Sequence, residues 1–136
     1  MALEVRLVTP EREVWSGSAD MVIARGIDGE VGVLAGHAPL LIQLAIGPLR
    51  IHREGGIERA VVDGGFLHVT SEEGTRVDVL ASHAELADEI DLAAAELRKN
   101  QAEERLQSHD THLAEAEAAE ARAELAKALA RINLAA

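Results

Sequence analysis

The chain has 136 residues, enough for one ordinary domain or two small ones, and 48% of them are hydrophobic although only 1% are aromatic. Its 13 basic and 24 acidic residues give a formal net charge of -11, which argues against a nucleic-acid-binding face and against adhesion to an anionic membrane. The absence of cysteine excludes disulfides, thiol catalysis and cysteine-based zinc sites. No apolar run approaches the length of a membrane span, so we expect a soluble protein that could still dock onto a membrane complex.

The composition changes abruptly near residue 84. All glycines and prolines lie before that point, whereas Ala, Glu, Leu and Arg dominate after it. Glycine and proline punctuate strands and turns, and the second group consists of strong helix formers. The sequence therefore predicts an α+β protein of two small domains: an antiparallel β-sandwich over residues 1–84 and an antiparallel α-helical hairpin over residues 85–136.

Short runs of alternating apolar and polar residues fill the first half. Such a period of two is typical of half-buried strands, and turn residues recur about every eight to twelve positions. The apolar pairs are Val5 and Leu7, Met21 and Ile23, Leu49 and Ile51, and Val77 and Val79. The predicted turns are Thr9-Pro10, Ser16-Gly17, Asp28-Gly29, Gly47-Pro48, Glu54-Gly55-Gly56, Asp63-Gly64-Gly65 and Glu73-Gly74. Phe66, directly after one of these turns, is expected to be a core aromatic residue.

In the second half, Asp91 is a candidate N-cap for a first helix. A second helix carries an apolar seam rich in alanine: Ala114, Ala118, Ala121, Leu125, Ala128 and Ile132. Alanines let helices approach closely but bury little apolar surface, so we expect this hairpin to be held only weakly and to be able to detach. Between the helices, His109 and His112 could hold a divalent ion, but a polar turn is the simpler interpretation and we predict no metal site.

The stretch from Gly29 to Leu41 combines three glycines with a short apolar run and one imidazole, that of His37. It predicts a strand, a tight loop carrying His37, and a second strand. No nucleophile with a recognisable elbow and no paired acid accompanies His37 in the sequence, so we expect a contact residue for a partner protein and no catalytic residue.

Several segments resemble, in the right order, the epsilon subunit of F-type ATP synthases. They are Val8-Thr9-Pro10, Val14-Trp15-Ser16-Gly17, GEVGVLAGHAPLL at residues 29–41, Val62-Asp63-Gly64-Gly65-Phe66-Leu67, Ile90-Asp91 and Ala123-Glu124-Leu125-Ala126-Lys127-Ala128. The resemblance covers nearly the whole chain and implies the sandwich-plus-hairpin fold. It also implies a non-catalytic, accessory rotor subunit of the proton-transporting ATP synthase, without a cofactor, peripheral to the cytoplasmic face of a bacterial plasma membrane.

The resemblance assigns the partners as well. The sandwich would bind the gamma subunit and rest on the c-ring, with Glu30, His37 and Pro39 in or near those contacts. The hairpin would fold against the sandwich or extend towards the alpha and beta subunits, where the extended form inhibits ATP hydrolysis. Basic residues of the last helix, Arg122, Lys127 and Arg131, would be the regulatory contacts.

Some members of that family bind ATP at the hairpin through an Ile/Leu-Asp-x-x-Arg-Ala motif. Here Ile90-Asp91 is followed by Ala94 where the arginine belongs, although Glu85 and Asp91 stand at matching positions. Two carboxylates without that cation would repel phosphates, so we expect weak nucleotide binding or none. A free-standing β-sandwich module for a carbohydrate or peptide, with a helical oligomerisation tail, is the alternative, and an enzyme is a more distant one.

Overall fold

Eight strands run from residue 3 to residue 86 in the computed structural model, which describes residues 2–107 and 114–135. They are β1 (Leu3–Val8), β2 (Glu13–Ala19), β3 (Met21–Gly26), β4 (Gly29–Leu34), β5 (Leu40–Arg53), β6 (Gly56–Thr70), β7 (Thr75–Leu80) and β8 (Ala84–Leu86). All four predicted alternating runs lie on strands, and in each run every second side chain faces the core. In β3 these side chains are Val22 and Ala24, so Met21 and Ile23 lie on the other face.

The strands follow the order β2-β1-β7-β6-β5-β3-β4, with β8 added on β6. Every neighbouring pair is antiparallel except β1 and β7, which run parallel with Val5 opposite Val77. Side chains from all eight strands meet in one core of Val, Leu, Ile and Ala. The predicted β-sandwich is therefore confirmed, with one parallel pair that the alternation in the sequence did not indicate.

Three predicted turns are wrong, because glycine and proline lie inside strands there. Ser16-Gly17 belongs to β2, and Gly47-Pro48 lies in the middle of β5, which pairs with β6 throughout that region. The register between β3 and β5 is interrupted just before Leu49, so β5 bulges away from β3 where the proline has no N–H to donate. Asp63-Gly64-Gly65 lies within β6.

The Gly64-Gly65 pair forms an irregularity in β6 with positive φ angles of 81° and 116°. A Cβ atom at Gly65 would lie 2.1 Å from the carbonyl oxygen of Leu80, so the backbones of β6 and β7 approach too closely for a side chain. The next residue, Phe66, faces outwards and is 48% exposed. The expectation that Phe66 is a core residue is wrong, because the alternation of β6 directs Leu67 into the core instead.

After β8 comes a short 3-10 helix (Ala87–Glu89), followed by α1 (Leu92–Gln107) and α2 (Glu115–Ala135). The predicted boundary after residue 84 falls inside β8, so the sheet extends two residues further. Asp91 Oδ1 accepts a hydrogen bond of 3.0 Å from the Ala94 N–H, which is the helix-capping contact predicted for this residue.

The two helices pack side by side, and the end of α1 lies beside the start of α2, so they form the expected antiparallel hairpin. Its buried seam consists of four alanines, Ala95, Ala102, Ala121 and Ala128. Helix α2 packs on β5, β6 and the 3-10 helix. None of the described helices is long and apolar enough to cross a membrane. The histidines at 109 and 112 lie outside the described residues.

Candidate functional site

The guanidinium of Arg131, on α2, lies in a buried ion cluster between the hairpin and the sandwich. Its Nη1 and Nη2 atoms donate to the two carboxylate oxygens of Asp63, both at 2.8 Å, and its Nε donates to Glu85 at 2.6 Å. Nη1 also donates to the carbonyl of Lys127 at 3.0 Å, one turn earlier in the helix. The side chains of Arg131 and Asp63 are only 7% and 3% exposed, whereas Glu85 is 31% exposed. This cluster joins the hairpin to the sheet.

The sheet holds Asp63 in place through its backbone. Its N–H donates to the carbonyl of His83 at 2.9 Å, and its carbonyl accepts from the Ser82 hydroxyl at 2.9 Å. Val62 points into the core, so the pleat of β6 turns Asp63 towards α2. Glu85 reaches the cluster from β8, which pairs with β6. Neighbouring strands thus present both carboxylates at one point.

The cluster keeps Arg131 charged. Burial of the guanidinium lowers its pKa, but the hydrogen bonds that it donates to Asp63 and Glu85 outweigh that effect, and the pKa of Arg131 lies above its ordinary value. A bidentate contact between guanidinium and carboxylate is among the stronger hydrogen-bonding arrangements in proteins and fixes the relative orientation of the two groups. The cluster can therefore define where α2 sits as well as hold it there.

The other two predicted regulatory residues make surface contacts within α2, where the side chain of Arg122 is 56% and that of Lys127 29% exposed. Arg122 pairs with Glu115 at 3.2 Å, and Lys127 pairs with Glu124 at 3.4 Å. Exposed pairs of this kind contribute little to stability, so both side chains can exchange partners at small cost. Arg131, by contrast, is enclosed while α2 lies on the sandwich.

Both residues assigned to nucleotide binding have structural partners. Glu85 accepts from Arg131, and Asp91 caps α1. A cleft of about 620 Å³ lies between hairpin and sandwich, and its lining mixes cations with acids: Arg12, Arg98, Lys127 and Arg131 with Glu11, Asp63, Glu85 and Glu124. Because the acids match the cations in number, the cleft offers a phosphate group no excess of positive charge. Among the described residues, no group of three or more His, Asp or Glu side chains could hold a metal ion.

A second ion pair stabilises the segment that connects the sandwich to the hairpin. Arg12, in the loop after β1, donates to Glu89 of the 3-10 helix at 2.9 Å, and Glu89 also accepts from the Leu86 N–H at 2.9 Å. The hydrogen bond from Arg12 lowers the pKa of Glu89, with a smaller contribution from Leu86. Glu89 raises the pKa of Arg12 in turn.

The three predicted partner contacts lie at two places. Glu30, second in β4, pairs with Arg50 at 3.0 Å. His37 and the exposed Pro39 lie in the loop after β4, and four residues of strand, about 14 Å, separate Glu30 from the end of β4. The loop is anchored where the Gly36 N–H donates to the Thr75 hydroxyl at 2.7 Å, and His37 Nδ1 lies 2.7 Å from the carbonyl oxygen of Ala38. The strand–loop–strand prediction for this stretch is confirmed.

Sequence reasoning missed an exposed apolar strip on the outer face of the sheet, formed by Leu41, Phe66 and Leu80. Phe66 on β6 lies directly opposite Leu80 on β7, and Leu41 on β5 shares their face. Leu41 also lines a cleft of about 270 Å³ together with Glu30 and the exposed Ile27. Adjacent exposed apolar side chains of this size commonly mark contact surfaces.

Sequence reasoning also missed Asp63. A signal for it was present, because Arg131 follows Ala128 by three residues and therefore shares the buried face of α2. An arginine on an otherwise alanine-lined face needs a buried acid as its partner. Which acid supplies that charge is decided by the sheet, 68 residues away in sequence.

A small β-sandwich carrying a docked helical hairpin defines the architecture, and comparison with known proteins identifies its family. The profile for the β-sandwich domain of the ATP synthase delta/epsilon chain matches residues 2–105, and the profile for its long α-helix domain matches residues 88–136. The chain belongs to the delta/epsilon family of ATP synthase chains, which confirms the resemblance to the epsilon subunit.

Curated relatives agree with this assignment. The ATP synthase epsilon chain of Brevibacillus brevis is 46% identical over 105 residues, covering 76% of this chain and 77% of its own. That of Bacillus pumilus is 38% identical over 133 residues, covering 98% and 96%. The epsilon chain of Thermobifida fusca is 50% identical over 104 residues, covering 74% of each chain.

Two solved structures are similar to this chain over nearly its whole length. One chain of a Euglena gracilis mitochondrial ATP synthase assembly, described as OSCP/F1/c-ring, matches with a TM-score of 0.81 and 28% identity, covering 98% of this chain and 81% of its own. A chain of the Tetrahymena thermophila mitochondrial ATP synthase, from the central stalk and c-ring, shares the fold with a TM-score of 0.63 at 14% identity.

Proposed function

We propose that this chain is a non-catalytic central-stalk subunit that couples proton flow through the c-ring to ATP synthesis and restrains ATP hydrolysis through its hairpin. Its sandwich binds the gamma subunit and the c-ring, and its extended hairpin reaches the alpha and beta subunits. The protein acts at the cytoplasmic face of a bacterial plasma membrane, held there through the complex. The bacterial sources of the curated relatives support that location.

The stalk role is supported by the similarity of 98% of the chain to a subunit of an F1/c-ring assembly. The surface supplies a means of attachment, since Leu41 of the exposed apolar strip lines one cleft together with Glu30. Burial of an exposed leucine or phenylalanine in an interface stabilises a complex by about 1.5–3 kcal/mol. Glu30, His37 and Pro39 would then supply polar and loop contacts around this strip.

The regulatory role rests on one observation: among the described residues, the side-chain hydrogen bonds that join α2 to the sandwich all belong to one buried ion cluster. Such a contact can be made and broken without exposing a large apolar core. A hairpin with two positions is moved towards whichever one gains additional contacts, so partner binding can shift its population. Arg131 is enclosed in one position and released in the other, together with Lys127 and Arg122 on the same helix.

Two measurements test these roles. Co-purification of the full chain with gamma should be weakened at least about tenfold by Leu41→Asp, whereas the control Leu97→Asp, at a similarly exposed leucine of α1, should leave binding unchanged. Assembled enzyme containing a chain that ends at residue 90, which keeps β8 and the 3-10 helix, should hydrolyse ATP faster than enzyme with the full chain. Failure of the full chain to bind gamma would contradict the stalk role, and unchanged hydrolysis would contradict the regulatory role.

A further inference from the structure

The contact between α2 and the sandwich has two parts with different physical properties. Ala128 lines the cleft between the hairpin and the sandwich, and a small apolar side chain of this kind attracts without direction and leaves the register of the helix weakly specified. The guanidinium of Arg131 meets Asp63 through two parallel hydrogen bonds and Glu85 through a third, which is a directional contact. The ion cluster, more than apolar packing, therefore selects one docked position.

Burial makes this contact close to all-or-none. With α2 in place, the Asp63 carboxylate is 3% exposed and depends on Arg131 for its charge partner. A helix docked without that ion pair would leave a buried, uncompensated charge, and breaking a buried pair on one side is far more costly than removing both partners. If α2 leaves altogether, water reaches both groups. The intermediate arrangement, docked but unpaired, is the one that the structure disfavours.

We propose that the ion cluster of Arg131 with Asp63 and Glu85 acts as an ion-pair latch. This latch holds the hairpin on the sandwich and fixes the register of α2. The latch is a property of the chain itself, and its consequence for ATP hydrolysis rests on the proposed function. Asp63 is the principal partner of Arg131 because it is buried and its contact is bidentate, while the more exposed Glu85 makes the smaller contribution. Release of the hairpin requires the cluster to open as a unit.

Substitutions at the latch should give a specific pattern. Arg131→Met leaves Asp63 buried without a cation, so the ratio of detached to docked hairpin should rise about a hundredfold. Asp63→Ala combined with Arg131→Met removes the whole buried pair, and its ratio should be at least about tenfold below that of Arg131→Met alone. The control is Arg122→Met, which removes an exposed pair from the same helix and should leave the ratio unchanged.

The natural absence of cysteine permits a direct measurement on the full chain. Spin labels on Glu73→Cys and Ala126→Cys, both exposed and outside the cluster, report the distance between sandwich and hairpin by pulsed electron paramagnetic resonance. Trp15, the single tryptophan, lies on β2 and reports by its fluorescence whether the sandwich remains folded. If Asp63→Ala unfolds the sandwich, Asp63→Asn, which keeps the shape of the side chain, takes its place in the double variant. The same decrease in the ratio of detached to docked hairpin, relative to Arg131→Met, is then expected.

A short-distance population in the wild type that is lost in Arg131→Met and regained in the double variant supports the latch. A wild-type distance distribution in Arg131→Met, or a double variant as detached as Arg131→Met, would overturn it. Because the measurement uses the isolated chain, it is separate from the hydrolysis assay. If the distance measurement supports the latch but hydrolysis is unchanged, the proposed regulation is contradicted and the latch is not. If hydrolysis changes but the distance measurement contradicts the latch, the proposed regulation is supported without it.

Discussion

Replacement of Gly65 by alanine tests whether the backbones of β6 and β7 approach too closely at this point for a side chain. The new Cβ would lie 2.1 Å from the Leu80 oxygen and 2.8 Å from the Ala81 Cα, so the strands must separate by about 1 Å to restore a contact of 3.0 Å. A positive φ at a residue other than glycine costs about 1–3 kcal/mol, and each adjoining ladder hydrogen bond that is lost costs about 0.5–1.5 kcal/mol more. We expect Gly65→Ala to lower the free energy of unfolding by about 3–5 kcal/mol.

The matched control for this prediction is Gly74→Ala. Gly74 has a φ of 83°, but a Cβ there would meet no atom within 4 Å, so only the backbone cost applies. Urea unfolding followed by Trp15 fluorescence gives both values. The difference between the two variants isolates the steric overlap, and equal losses of stability would refute the argument that the strand approach at Gly65 excludes a side chain.

Two further predictions concern the linker and the loop. Replacing Glu89 with glutamine removes a carboxylate whose pKa is lowered by Arg12. A carboxylate with a lowered pKa stabilises the folded state at pH values above its ordinary pKa. The free energy of unfolding of Glu89→Gln should therefore be below that of the wild type at pH 7, and this difference should disappear as the pH falls below 4.5 towards the lowered pKa. A pH-independent loss, measured by urea unfolding at each pH, would contradict the ion pair. Replacing Thr75 with valine removes the acceptor of the Gly36 N–H and should increase hydrogen exchange at Gly36 by about tenfold, with little change at Arg131; unchanged exchange at Gly36 would show that the hydroxyl does not anchor the loop.

The two-domain organisation could be predicted because strand and helix formation depend on local chemistry. Alternating residues such as Val77 and Val79 indicate a strand wherever they occur, and the run of Ala, Glu, Leu and Arg after residue 90 indicates helices without reference to any partner. The predicted N-cap at Asp91 is local in the same sense. Each of these signals lies within a few residues of the structure that it specifies.

Glycine and proline were misleading where they serve the sheet. Gly47-Pro48 and Gly64-Gly65 resemble turns, yet they lie at irregularities inside the long strands β5 and β6. A bulge and a turn use the same residues, and only pairing with a distant strand distinguishes them. The exposure of Phe66 follows from that pairing, because the position of the irregularity decides which side chains of β6 face the core.

The contact between hairpin and sandwich was the least predictable feature. That Ala121 and Ala128 share a buried face could be predicted from their spacing, but the acid that accepts from Arg131 could not, since Asp63 acquires its position from the sheet. The assignment of Glu85 and Asp91 to nucleotide came from the resemblance alone, and both side chains have structural partners here. Basic residues on a surface helix are more easily assigned to an outside partner than to the chain's own sheet.

The parallel pairing of β1 with β7 also governs the order in which the protein can be assembled during synthesis. The first strand of the chain, starting at Leu3, remains without its second neighbour until Thr75–Leu80 has been made. Such distant pairings form slowly, whereas a helical hairpin folds from local contacts. Asp63 lies on β6, the other neighbour of β7. The acids that accept from Arg131 are therefore in place only when all strands of the sheet have paired. Helix α2, which is synthesised after all eight strands, therefore has a place to dock only on a finished sandwich.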